Sequence, residues 1–98
     1  MLDIQYNEKS NVFYFSKKDN NELVQNMHIA ANIKMPIKAL HNNLKTKFNG
    51  KPYPKNLNTD VIEAGISTCF NNKIDAENAL NWINSMYILS KFEAYNLC

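Results

Sequence analysis

An α+β domain is predicted by three features of the sequence. Residues 2–6 alternate Leu, Asp, Ile, Gln, Tyr, the period of a strand with one apolar face. Between Leu23 and Phe48 apolar residues recur at Leu23, Met27, Ala30, Ile33, Ile37, Leu40, Leu44 and Phe48, the period of a helix. In the stretch from Ala79 to Tyr95, eleven of seventeen residues are apolar, which predicts a long C-terminal helix. With 98 residues there is room for one domain, 1–98, around one core. The apolar share of 45% and charged share of 20% are those of a globular chain and exclude wholesale disorder.

The elements follow in order. Asn7 to Asn11 is turn-forming, and Val12-Phe13-Tyr14-Phe15 is a second β-prone run, so an N-terminal β-hairpin is expected. Both faces of that second strand are apolar, which places it inside a larger sheet or under a helix. Residues 17–21 (Lys, Lys, Asp, Asn, Asn) break the pattern and offer Asp or Asn caps for a helix. Pro36 cannot donate within a helix and pushes Met35 out of helical geometry. Two helices are therefore expected, about 20–33 and 36–48, with Pro36 opening the second and Asn49-Gly50 stopping it. Residues 51–58, starting Lys51-Pro52-Tyr53-Pro54-Lys55, form a loop by composition. Asp60 to Phe70 fits a strand by alternation and a helix by its i, i+4 pairs; Gly65 and the β-branched residues favour a third strand. Asp75 then caps the last helix, which runs to about Tyr95 with Glu77 in its first turn. That helix is apolar on two sides. Ala79, Leu80, Ile83 and Tyr87 form one stripe; Trp82, Met86, Leu89 and Phe92 form another. The second stripe, with Tyr95, either packs inside the domain or forms a protein interface such as a homodimer contact.

Motif-defined catalysis is not expected. Gly50 and Gly65 are the only glycines, so no glycine-rich phosphate loop can form. His28, His41, Cys69 and Cys98 match no zinc-module spacing, and Cys69 is expected as a small core residue. No metal or cofactor is anticipated. The start, Met1-Leu2-Asp3-Ile4, lacks the features of a secretory signal, and the longest apolar run near the end, Met86 to Leu89, is too short to span a bilayer. A cytoplasmic protein with no membrane partner is expected, in a bacterium or an infected host cell.

All 11 basic residues are Lys, and Asn occurs 17 times, a usage that fits an AT-rich genome such as that of a low-GC bacterium or a phage. Lacking Arg, the chain has no bidentate fork for phosphate or guanine. The net charge of +2 is unevenly placed: residues 1–22 sum to −1, residues 23–59 to +6 and residues 60–98 to −3. The six lysines of the middle segment are Lys34, Lys38, Lys45, Lys47, Lys51 and Lys55, with no Asp or Glu among them. Such a segment suits nucleic acid or an acidic protein or nucleoprotein surface.

From Ile29 to Leu44 the chain runs IAANIKMPIKALHNNL. This resembles the helix-turn-helix of bacterial and phage DNA-binding domains. Ile29-Ala30 matches the apolar–small pair of the first helix, Ile33 its later apolar residue, Met35 the apolar turn residue, and Pro36 the opener of the recognition helix. Leu40 and Leu44 match that helix's inward contacts. The resemblance implies that Lys38, His41, Asn42, Asn43 and Lys45 face outward, Asn toward adenine and Lys toward phosphate. Lys47, Lys51 and Lys55 would extend the phosphate track. Where the family usually has Gly in the turn, this chain has Lys34, so the match implies a left-handed backbone on a residue with a Cβ.

The function expected from these features is that of a small, non-catalytic nucleic-acid-binding regulator. The alternative is an inhibitor or immunity-type protein. In size and composition the chain looks like the small phage or mobile-element proteins that sequester a protein or nucleoprotein of a defence system, anti-CRISPR proteins among them. On that reading Trp82, Met86, Leu89, Phe92 and Tyr95 are the contact residues, with Tyr53 and Tyr87 as exposed aromatic anchors.

Overall fold

A computed structural model describes residues 2–53 and 68–96, with residues 88–96 as helix backbone only. Among these, the order is β1 (Leu2–Asn7), β2 (Val12–Lys17), α1 (Asn26–Asn32), α2 (Ile37–Phe48), β3 (Lys51–Pro52), β4 (Thr68–Phe70) and α3 (Lys73–Asn96). The strands form one antiparallel sheet in the order β1-β2-β4-β3, and the fold is α+β.

The hairpin pairs Leu2 with Lys17 through to Asn7 with Val12. Its turn is held by side chains. The Ser10 N–H donates to Asn7 Oδ1 at 3.2 Å, and the Tyr6 hydroxyl donates to Asn11 Oδ1 at 2.6 Å. Asn11 sits in the left-handed region at φ 53°, which Asn tolerates better than most residues. As the apolar faces of β2 require, the strand lies between two others. Phe13 and Phe15 point to the main core, while Val12 and Tyr14 point to a smaller cluster with Tyr53, Cys69 and Leu23 on the opposite face.

The first helix is shorter than its apolar period predicts. It begins at Asn26, and the expected start near residue 20 is corrected. Residues 22–24 are extended instead. The Val24 N–H donates to the Phe15 carbonyl at 3.1 Å, the Lys17 N–H to the Glu22 carbonyl at 3.2 Å, and Leu23 bridges Ser16. Since β1 occupies one edge of β2, these bonds complete the other edge beyond β4. The N-cap is Gln25, which makes no side-chain capping bond, rather than an Asp or Asn of residues 17–21. The new start sets the phase of α1. Asn26, Ile29 and Ala30 are buried, and Met27, expected in the core, is 46% exposed. Ile37 likewise lies at the surface, because Leu40 and Leu44 define the inward face of α2.

The predicted loop after Gly50 is also corrected at its start. Lys51 and Pro52 form a short edge strand opposite Cys69 and Thr68. A proline is tolerated there because an edge strand need not donate on its outer side. Tyr53 follows and is 5% exposed, its ring edge-on to Tyr14 at 5.5 Å, so it cannot serve as a surface anchor. Gly50 is required by close approach. A Cβ there would lie 2.9 Å from the Leu44 carbonyl oxygen and 2.8 Å from Thr68 Cγ2. Of the expected third strand, residues 68–70 are observed as β4, and residues 60–67 lie outside the described residues.

The last helix starts two residues before Asp75. Asn72 is the cap: the Asp75 N–H donates to Asn72 Oδ1 at 2.9 Å, and Asn72 Nδ2 donates to Asp75 Oδ2 at 2.8 Å. This reciprocal pair satisfies a free N–H of the first turn and places a carboxylate near the positive end of the helix. Along α3, Ala76, Ala79 and Ile83 are fully buried. The small alanines let the helix lie close to the sheet, where it contacts β1, β2 and β4; it also packs against α1 and α2. Leu80, Trp82, Met86 and Tyr87 all pack on the same core, so over this stretch both apolar stripes are used within the domain. No helix among the described residues is long and apolar enough to cross a membrane.

Burial also sets a pH dependence. The Cys69 thiol is pushed up to about 11 by burial, against which Lys51 acts weakly. An unfolded chain ionises this thiol near 9, the folded chain only two units higher. The stabilisation is therefore intact below pH 9 and declines as pH rises through 9 to 11. Tyr53 and Tyr87, raised chiefly by burial, act with the same sign above pH 10. The expected result is a urea midpoint that falls between about pH 8.5 and 10.5, with a shallower fall in Cys69→Ala.

Candidate nucleic-acid interface

The site is built from the α1–α2 unit. The N–H of Met35 donates to the Ala30 carbonyl at 2.9 Å and that of Lys34 to the Ala31 carbonyl at 3.4 Å. These are the two bonds of a left-handed helix stop, and Lys34 takes the left-handed position at φ 55°. A glycine would adopt this conformation without a Cβ penalty. Among the described residues three other non-glycine residues share it, all asparagines, which makes Lys34 the outlier there. Ala30, 4% exposed, and Met35, half-buried, bracket the turn, and Pro36 at φ −58° then opens α2.

This arrangement orients α2. Its twelve residues span roughly 18 Å. Leu40 and Leu44 are fully buried, and on the opposite side Lys38, Asn42 and Lys45, at i, i+4 and i+7, form an exposed stripe. His41 lies beside it and is half-buried; Asn43, also half-buried, falls on a different side of the helix, its Nδ2 4.0 Å from the Met35 sulfur. Lys34 is exposed in the turn and Lys51 on the edge strand. Lys47 stands apart. Its ammonium lies 6.0 Å from the Trp82 ring centre, on the side of α2 that meets α3. Phe48 stacks at a tilt on the same ring at 5.7 Å. The structure thus brings together Lys38, Asn42 and Lys45, with Lys34 and His41 at the margin, and separates Lys47 from them. Lys55 lies outside the described residues.

Among the described residues no carboxylate forms an ion pair with a lysine of this face. The two ion pairs among the described residues, Lys17–Glu22 and Lys73–Glu77, both lie outside 34–51. One acid approaches the end of α2: Asp75, whose Oδ2 accepts a long bond of 3.4 Å from Asn49 Nδ2. Of the expected protein-contact residues, Trp82 and Met86 are partly buried against the core, and the side chains of Leu89, Phe92 and Tyr95 lie outside the description. The sequence reading missed Asn26. This fully buried amide donates through Nδ2 to Thr68 Oγ1, tying α1 to β4 and so fixing the α1–α2 unit on the sheet. A polar residue at the phase of Ile29, Ala30 and Ile33 was the available signal. No family model, no curated protein and no solved structure matches the chain.

Replacing Lys34 with Gly separates stability from charge. The left-handed turn is relieved of its Cβ, so Lys34→Gly is expected to stabilise the fold by about 0.5–1 kcal/mol, read as a higher melting temperature. If the lysine is a site residue, the more stable variant is also the weaker binder.

Proposed function

We propose that the chain is a nucleic-acid-binding protein that lays the exposed face of α2 against duplex DNA. The observation that carries this reading is the stripe of Lys38, Asn42 and Lys45 on a helix presented by a left-handed turn, in a segment with no acidic residue. The major groove accommodates a helix of this width. Lys34, Lys38, Lys45 and Lys51 would neutralise phosphates, and Asn42 would donate to and accept from an adenine edge. Pairing of two chains through α3 belongs to the same reading and is measured by sedimentation equilibrium.

The test is fluorescence anisotropy with labelled mixed-sequence duplex and single-stranded DNA at about 50 and 200 mM salt. Four neutralised phosphates give a salt slope of about −4 and a loss of roughly a hundredfold over that range. Absence of binding at the lower salt overturns the proposal.

A second reading, sequestration of a protein or nucleoprotein partner, is favoured by Ile74. This residue is 69% exposed at the start of α3 and offers an apolar contact to a partner. On that reading the lysines steer the chain onto an acidic surface. The discriminating outcome is a stoichiometric complex with a host protein that Ile74→Asp abolishes and that forms without DNA.

A further inference from the structure

A cleft of about 680 Å³ lies away from the basic face, between α1 and α3 at the end of the sheet where β1 begins. Its size is that of a site for a small organic molecule. Leu2, Val24, Ala31 and Tyr87 give it apolar walls. Its polar lining includes Lys17 and Lys18 from the end of β2, His28 from α1 and Asn84 from α3. Tyr87 is half-buried, and burial raises its phenol, which marks this wall as poorly hydrated.

The charge at the mouth decides the class of occupant. Two ammonium groups face one carboxylate, Asp19. The contact of Lys17 with Glu22 is long, 4.0 Å, and both side chains are more than half exposed, so it holds the lysine weakly. Lys18 has no ion pair among the described residues. The imidazole of His28 is exposed, and the side-chain amide of Asn84 supplies a further donor. A trough lined by apolar side chains and by two ammonium groups fits an amphipathic anion: a flat or flexible apolar body with a terminal carboxylate.

We infer that the cleft between α1 and α3 binds a small aromatic carboxylate, its ring against Tyr87, Val24 and Leu2 and its carboxylate between Lys17 and Lys18. The inference is independent of the nucleic-acid reading, since none of these residues lies on the exposed face of α2. A carboxylate in this position gains hydrogen bonds charged on both sides, a neutral hydroxyl accepts weaker ones from the ammonium groups, and a cationic analogue is repelled.

The probe is 4-phenylbutyrate, titrated into the ¹⁵N-labelled full chain, with 4-phenylbutan-1-ol and 4-phenylbutan-1-amine as neutral and cationic counterparts. Saturable shifts are expected at the amides of Val24, His28, Ala31, Asn84 and Tyr87, with the alcohol about fivefold weaker and the amine weaker still. The variant carrying Lys17→Gln and Lys18→Gln changes only exposed side chains and is expected to lower carboxylate affinity about fivefold and alcohol affinity by less than about twofold. Ala31→Phe, which places a ring into the cleft from an exposed helix position, is expected to abolish the shifts of all three compounds. The inference is overturned by shifts that do not saturate, by an amine that binds as well as the carboxylate, or by carboxylate binding that survives both variants.

Discussion

A chain carrying Lys38→Glu and Lys45→Glu is expected to bind duplex DNA roughly ten- to a hundredfold more weakly than the parent at low salt, with a salt slope smaller by about 2. Both side chains are exposed and share one face of α2, and neither takes part in an ion pair among the described residues. Their removal therefore breaks no ion pair among the described residues, and surface changes of this type usually alter stability by less than about 0.5 kcal/mol. An unchanged melting temperature alongside lost binding places the effect in the interface. Lys47→Glu is the internal control. Lys47 sits at the α2–α3 junction against Trp82, so it is expected to affect binding less and to change Trp82 fluorescence. If Lys38→Glu and Lys45→Glu together leave duplex affinity and salt slope untouched, DNA does not lie on this face.

Asn42→Ala probes a different contribution. Lysines on phosphate bind all sequences alike, whereas an asparagine on a base edge distinguishes them. Its loss is expected to flatten a preference among duplexes and to leave the salt slope as it was.

The parts of this fold that were legible in the sequence are those fixed by local chemistry. The hairpin follows from alternation on either side of a polar turn, and α2 from Pro36, its apolar period and Asn49-Gly50. The parts that were not legible depend on partners distant in sequence. Residues 22–24 have helical apolar spacing, but the open edge of β2 offers hydrogen bonds that a helix there would forgo. Lys51 and Pro52 are a strand only because Thr68 and Cys69 lie beside them. Tyr53 reads as exposed in a proline-rich stretch and is buried because Tyr14 and Cys69 form a pocket on the sheet's second face. At the start of α3, Asp75 is a good cap by type; Asn72 takes the position because the two side chains satisfy each other.

The candidate site divides the same way. Lys38, Asn42 and Lys45 share a face by helical spacing alone, and that spacing also sets Lys47 apart, toward the buried side of Leu40 and Leu44. The left-handed Lys34 runs against residue preference, since nothing in the side chain favours that backbone. The phase of Asn26 with Ile29, Ala30 and Ile33 marks it as inward-facing, but its hydroxyl partner, Thr68, was not legible because it lies 42 residues away.

The largest stability effect is expected from Phe70→Ala. Phe70 is fully buried on the three-residue strand β4, opposite Phe13 in register, and its ring packs at a tilt on Phe15 at 5.3 Å. β4 joins β2 to the edge strand β3, and its partner-side residue Thr68 anchors α1 through Asn26. Truncating a buried phenylalanine to alanine costs about 3–5 kcal/mol, through lost burial and the cavity left behind. A domain of this length has roughly 5–15 kcal/mol in all, so the variant is expected to melt at least about 15 °C lower. Phe15→Leu with Phe70→Leu, measured singly and together, should show a coupling of about 0.5–1.5 kcal/mol from the ring pair. Ile74→Ala supplies the contrast: its side chain is mostly in solvent, and it is expected to change stability by less than about 0.5 kcal/mol. Urea unfolding of the three chains decides the matter. A Phe70→Ala cost no larger than that of Ile74→Ala would mean that β4 does not belong to the core, and the anchoring of α1–α2 through Asn26 and Thr68 would be lost with it.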